Sequence, residues 1–141
     1  MNKLFLIITS LVIVSVAIFF SYETKEVQFE NISFQAEIAD SSAEHYNGLS
    51  NRNYLCGNCA MLFVFEDNTE RSFVMREMMM PIDIVFINNN MVIDIHKDLK
   101  PEGKDYDNYY KSAGAVDMAL EINANYSDKY NIKVGDKVII N

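Results

Sequence analysis

The chain is poor in the residues that build metal and nucleic-acid sites. Two histidines and two cysteines are spread over 141 residues. A zinc site needs about four ligands, and His45 and His96 stand far apart with no ligand spacing, so the expected metal set is none. Positive charge is scarce too. Twelve Lys and Arg face twenty Asp and Glu, a formal charge of −8. Such a surface repels phosphate backbones, which argues against nucleic acid as a partner. The acidity is read as a solubility feature. No nucleophile elbow, phosphate-binding loop or dinucleotide fingerprint occurs, so no cofactor is expected. Internal repeats and low-complexity tracts are absent as well.

Hydrophobic residues make up 50% of the chain, enough for one packed domain. Residues 4–22 stand apart from it. After Lys3 no charge occurs until Glu23, and a helix of that length spans about 28 Å, close to a bilayer core of about 30 Å. A secretory leader cut after Ser15-Val16-Ala17 is one reading. An uncleaved anchor is preferred, because Ile18, Phe19 and Phe20 prolong the apolar run. Either places Lys3 in the cytoplasm and the remainder outside. The expected partner is therefore the membrane through residues 4–22, with secretion if the leader is cleaved. No cysteine near the end of the run offers a lipid attachment point.

Cys56 and Cys59 form a C-x-x-C. Outside the cytoplasm a short-loop disulfide is the plain reading. A redox-active pair is the alternative, although thioredoxin-type motifs follow a strand and open a helix, whereas this pair precedes a strand.

The expected domains are a leader over 1–22, a tether and first strand over 23–33, and a main domain over 34–141. Strands are expected over 27–30, 34–39, 60–65, 71–75, 82–87, 91–96, 116–122 and 137–140, from period-two alternation or short apolar runs. Residues 66–70 read as a polar turn. Ser41 and Glu44 fit a capping box for a short helix in which Tyr46 and Leu49 share a face, and which stops before Arg52. A second short helix over 123–130 carries Tyr126 and Tyr130 inward, with Asn131 as a left-handed cap. Asn88-Asn89-Asn90 reads as a tight hairpin turn. Residues 97–110 form a polar loop able to cover a cleft. The fold class is α+β: a mostly antiparallel, strongly bent, open barrel-like sheet with two short helices, plus the N-terminal hydrophobic helix.

Six short motifs occur in order: Ala39-Asp40; Gly48-Leu49 with Arg52; Ala60-Met61-Leu62-Phe63; the 73–83 segment with Phe73-Val74-Met75-Arg76-Glu77-Met78 and Pro81-Ile82-Asp83; Tyr110-Lys111-Ser112; and Leu120-Glu121-Ile122-Asn123-Ala124-Asn125 followed by Gly135-Asp136. Together they resemble the family known as domain of unknown function 192, or uncharacterised protein family 0127. The resemblance implies a fold and a place among exported bacterial and archaeal proteins, and brings no activity. Val74 stands where the family has Trp, and Glu77-Met78 where it has Asn-Thr. Asn125 and Asn131 replace glycines, as the next best residue at positive φ.

The irregular segment 75–81, set between strands, is the expected working surface. Candidate ligand-binding residues are Arg52, Met75, Arg76, Pro81, Asp83, Ser112 and Glu121. Arg76 and Asp83 flank Pro81 and are expected to approach one another, either at the mouth of a groove or as a pair that holds the loop. Asp83 and Glu121 could act as paired carboxylates of a hydrolase. His96, Tyr110 and Ser112 form no recognisable nucleophile set. Met75, Met78, Met79, Met80 and Met91 suggest a flexible core or an exposed lip rather than copper ligands. The leading reading is an extracytoplasmic binding module for a small molecule, glycan or protein segment. The rivals are an enzyme, either a hydrolase through the carboxylates or a thiol redox protein through Cys56 and Cys59, and an assembly factor that docks a partner on an exposed strand edge.

Overall fold

A computed structural model describes residues 23–141. The hydrophobic helix expected at 4–22 lies outside the described residues. Among those described, no helix is long and apolar enough to cross a membrane.

The elements are β1 (Thr24–Gln28), β2 (Ser33–Ala39), α1 (Ser42–Asn47), β3 (Cys59–Phe73), β4 (Ile82–Asn88), β5 (Met91–Leu99), β6 (Tyr110–Asn123), α2 (Tyr126–Lys129) and β7 (Ile139–Ile140). They form a seven-stranded sheet in the order β5-β4-β6-β3-β2-β1-β7, curled into a half-barrel with two short helices. Its pairs are antiparallel except β2 with β3, which run parallel. The curl brings the ends of the sheet together. Val92 N donates to Asp136 O at 2.9 Å and Val138 N to Asn90 O at 2.9 Å, so the outer edge of β5 is partly covered by the chain entering β7. Bonded edge groups of this kind are closed to edge-to-edge docking.

Local chemistry accounts for the turns. Ser41 and Glu44 form the reciprocal capping box, and α1 ends at Gly48 with φ +47°. The β4–β5 hairpin turns on Asn89 and Asn90, both at positive φ, which asparagine tolerates better than other non-glycine residues. Asn125 and Asn131 are left-handed too, at φ +67° and +58°. They hold the backbone shape that glycine would otherwise supply.

Four expectations need correction. Residues 66–70 are not a turn. They belong to the continuous strand β3, whose pairing with β6 slips between Val64 and Thr69 and again between Glu70 and Ser72. Polar, exposed residues there hide the fact that the backbone stays paired across two bulges. The first strand begins at Thr24, so residues that read as a tether already belong to the sheet. Strand β5 runs on to Leu99, which shortens the polar loop to residues 100–109. Tyr46 and Leu49 do not share a face. The helix ends at Asn47, leaving Tyr46 exposed and Leu49 buried.

Because strand side chains alternate, the sheet carries an apolar cluster on each face. One contains Met61, Phe63, Met75, Ile82, Ile84 and Phe86. The other contains Phe34, Leu62, Val85, Ile87, Leu120 and Ile122.

Candidate functional site

The two buried carboxylates of the central strands fall on opposite faces. Asp83 on β4 pairs with Ile122 on β6, and Ile84 pairs with Glu121. Directly paired residues share a face, so Asp83 goes with Ile122 and Glu121 with Ile84. The expected hydrolase pair is therefore not assembled.

Asp83 is wholly buried and saturated with donors. Its Oδ1 accepts from Asp98 N at 2.8 Å and Asn125 N at 2.9 Å. Its Oδ2 accepts from Ser127 N at 2.9 Å and Ser127 Oγ at 2.5 Å. One side chain thus ties β4 to the left-handed residue Asp98 of β5 and to the start of α2. Arg76 does not meet Asp83, contrary to expectation. Its guanidinium lies 3.7 Å from the centre of the Tyr46 ring, its Nη2 donates to Tyr46 O at 2.6 Å, and its Nε is 4.0 Å from a Glu77 oxygen.

Other candidates also prove to be holding groups. Ser112 accepts from Arg71 N at 3.0 Å and donates to Gly114 O at 2.7 Å, which fills the second bulge. Met75 is buried in the core beside Met78 and Met80, while Met79 is exposed. Pro81 borders a shallow hollow with Tyr54 and Tyr126. Cys56 and Cys59 are joined as a disulfide. Asn123 Nδ2 donates at 3.0 Å to the carbonyls of Leu55 and Cys56, anchoring that loop to β6. Among the described residues no group of three or more His, Cys, Asp or Glu is placed to hold a metal.

Glu121 differs from all of these. It is 5% exposed, and its Oε2 has no hydrogen-bond partner. It sits in the wall of a hollow of about 350 Å³. Phe63 and Phe73 contribute aromatic surface, with ring centroids 5.0 Å apart. Val74, Arg76 and Met78 come from the segment after β3, Gly48 from the end of α1, and Tyr106 from the loop after β5. Segment 75–81 borders this hollow through Arg76 and Met78. A Cβ at Gly48 would stand 3.3 Å from Phe63 Cζ and 3.7 Å from Glu121 Oε2. Glycine, already at positive φ there, lets the backbone close over the acid.

Burial pushes the Glu121 carboxyl up to about 8, with the Arg52 guanidinium opposing the rise. Burial wins for a visible reason. Arg52 is engaged with Glu37, donating at 2.7 Å to each carboxylate oxygen, so much of its charge is already compensated. Desolvation disfavours the charged form of a buried acid. At neutral pH Glu121 is therefore a neutral acid with a proton to donate and an oxygen to accept.

Two arginines stand around the same hollow. Arg71 lies 4.2 Å from the centre of the Phe65 ring and is ion-paired with Asp67. The Nε atoms of Arg71 and Arg76, like Glu121 Oε2, are buried without a hydrogen-bond acceptor or donor. His45 Nε2 lies 3.0 Å from both Ala39 O and Val64 O, so that nitrogen carries the proton and donates to backbone.

Of the residues singled out from the sequence, Arg76 and Glu121 meet at this hollow, and Arg52 acts on it through its charge. The aromatic surface of Phe63, Phe65 and Phe73 was missed. Phe63 and Phe65 are spaced by two on one strand, but cutting β3 at residue 66 hid their continuity with Arg71 and Phe73.

The fold and site place the chain in a defined class. Residues 24–140 match the model of domain of unknown function 192, described as an uncharacterized ACR family, and the chain belongs to that family. It is similar to a solved protein of unknown function from Novosphingobium aromaticivorans, with 29% identity over 84% of each chain and a TM-score of 0.76. It also shares its fold with a Sinorhizobium meliloti protein described as a "putative transcription regulator", at 23% identity over 85% of this chain and 95% of that one, TM-score 0.77. No curated protein matches the chain.

Proposed function

We propose that this chain is a membrane-tethered, extracytoplasmic domain that binds a small molecule in the hollow beside Glu121. The observation that carries the reading is an unpartnered, buried acid on an aromatic-walled hollow of about 350 Å³. Small-molecule sites are concave and largely apolar, with a few converging polar groups and a perturbed acid among them. A buried polar group without a partner costs about 1–3 kcal/mol, and here that group opens on a hollow where a ligand could supply the missing partner. The apolar run 4–22 supports the tether. The net charge of −8 counts against extending the regulator description of the Sinorhizobium protein to a nucleic-acid partner here.

The Val74 position gives the test. The family's usual tryptophan there would put a large ring on the wall of the hollow. The full-length chain, in detergent micelles, is screened by thermal shift against a small-molecule library, beside Val74→Trp. The expected result is stabilisation of the parent by a small set of compounds and loss of that stabilisation in the folded variant. A parent that responds to no compound, or a variant that responds equally, contradicts the reading. For the tether, protease added to intact cells should digest the domain. Protection of the domain until the cells are lysed contradicts its placement outside.

A further inference from the structure

Resting on that reading, we infer that the ligand is a compact monocarboxylate with a flat apolar body: its carboxylate accepts from the Glu121 acid and the guanidinium edges of Arg71 and Arg76, and its body lies against Phe63 and Phe73. Three observations on the hollow converge on this chemistry. Phe63 and Phe73 stand edge to face, with an interplanar angle of 85°, and offer apolar surface to a planar group. Arg71 and Arg76 each lie over an aromatic ring, Phe65 and Tyr46 respectively, which fixes their planes. Their Nε–H groups remain without acceptors. Planar, pre-oriented guanidinium groups suit planar carboxylates.

The charge around the hollow limits the ligand further. Arg71 is paired with Asp67, and Arg76 has Glu77 at 4.0 Å, so the positive charge there is only partly free. With Glu121 protonated, the site suits a single negative charge better than a phosphate dianion. A neutral carboxyl can donate to a carboxylate, whereas an ionised one would repel it. The other ionisable groups around the acid are Arg52 with its partner Glu37, His45, Tyr46 and Tyr106. Arg52 is held by Glu37, and His45 Nε2 is held by two backbone carbonyls. Glu121 is therefore the group expected to switch binding off as pH rises.

The test uses three probes of one shape: benzoate, benzamide and benzylamine. Binding to the full-length chain in micelles is followed by NMR, through the amide shifts of Gly48, Phe63 and Val74. The expected order is benzoate first, benzamide weaker and benzylamine absent. Benzoate affinity should fall about tenfold or more between about pH 7 and pH 9.5, as the acid ionises. In Glu121→Gln, which keeps a neutral donor of the same size, benzoate still binds and that fall shrinks to less than about twofold. Arg76→Gln should weaken benzoate about tenfold and leave benzamide within about threefold. Benzamide or benzylamine binding as well as benzoate, or a fall with pH that persists in Glu121→Gln, overturns the carboxylate assignment while small-molecule binding stands. Failure of all three probes alongside library compounds that bind the parent and not Val74→Trp overturns it in the same way. Probe shifts unchanged by Val74→Trp overturn the assignment and the site together.

Discussion

Asp83 and Glu121 sit one residue out of register on neighbouring strands, yet they face opposite sides of the sheet and live under opposite rules. Asp83 receives four donors, from Asp98, Asn125 and Ser127. Glu121 keeps an oxygen with none. Both are buried, so burial alone does not mark a functional acid. The difference lies in what faces each group. On the Asp83 side the chain folds back on itself through α2 and supplies every partner. On the Glu121 side the chain is held back by the cap at Gly48 and by the loop that brings Tyr106, and a hollow remains. A saturated carboxylate clasps the fold, and an unsaturated one is left facing an open hollow.

The contrast can be broken first at Asp83. Asp83→Ala leaves three backbone N–H groups and a hydroxyl unpaired, and should cost about 3–5 kcal/mol in urea unfolding. A loss below about 1 kcal/mol would remove the clasp.

Glu121 should respond with the opposite sign. Its folded carboxyl titrates near 8 rather than at the ordinary value of 4.5. Between those two pH values the unfolded chain has lost the proton and the folded chain keeps it. The contribution of Glu121 to stability is therefore largest below about pH 4.5, falls by up to about 1.4 kcal/mol per pH unit, and levels off above about pH 8. Glu121→Gln cannot lose a proton. It should gain about 2–4 kcal/mol near neutral pH, and the contribution of this group to the slope should vanish. A variant no more stable than the parent at about pH 7.5 would place Glu121 among ordinary solvated acids.

Smaller effects sharpen the account of the supporting loops. Replacing both cysteines by serine opens a very short loop and should cost about 1–2 kcal/mol, read from the shift in the thermal midpoint on the parent's unfolding enthalpy. Glu77 holds φ +53° between hydrogen bonds to Asn51 and Gly103. Glu77→Asn restores the family's usual residue at a left-handed position and should gain about 0.5–1 kcal/mol in urea unfolding. Destabilisation would show that the Glu77 side chain matters more than its backbone.

Much of the local structure was legible because local chemistry fixes it. The Ser41–Glu44 box, the Asn89–Asn90 turn and the left-handed Asn125 and Asn131 all act within a few residues. The curled sheet followed from many short alternating strands. The course of β3 through residues 66–70 was not legible, because its exposed polar side chains say nothing about whether the backbone is paired. The site was half legible. Arg76 and Glu121 stood out as charges in apolar context. Which carboxylate faced which side depended on the pairing of β4 with β6, where a slip of one residue exchanges the faces. Ser112 and Asp83 looked equally promising, and each takes a partner more than forty residues away along the chain, Arg71 for Ser112 and Ser127 for Asp83.

The most direct measurement is the carboxyl 13C shift of Glu121 followed across pH in the full-length chain. The account predicts a single midpoint near 8. A midpoint near the ordinary 4.5 would mean that the acid is already solvated or partnered, and would contradict the claim that a neutral, unsatisfied carboxyl marks the binding site.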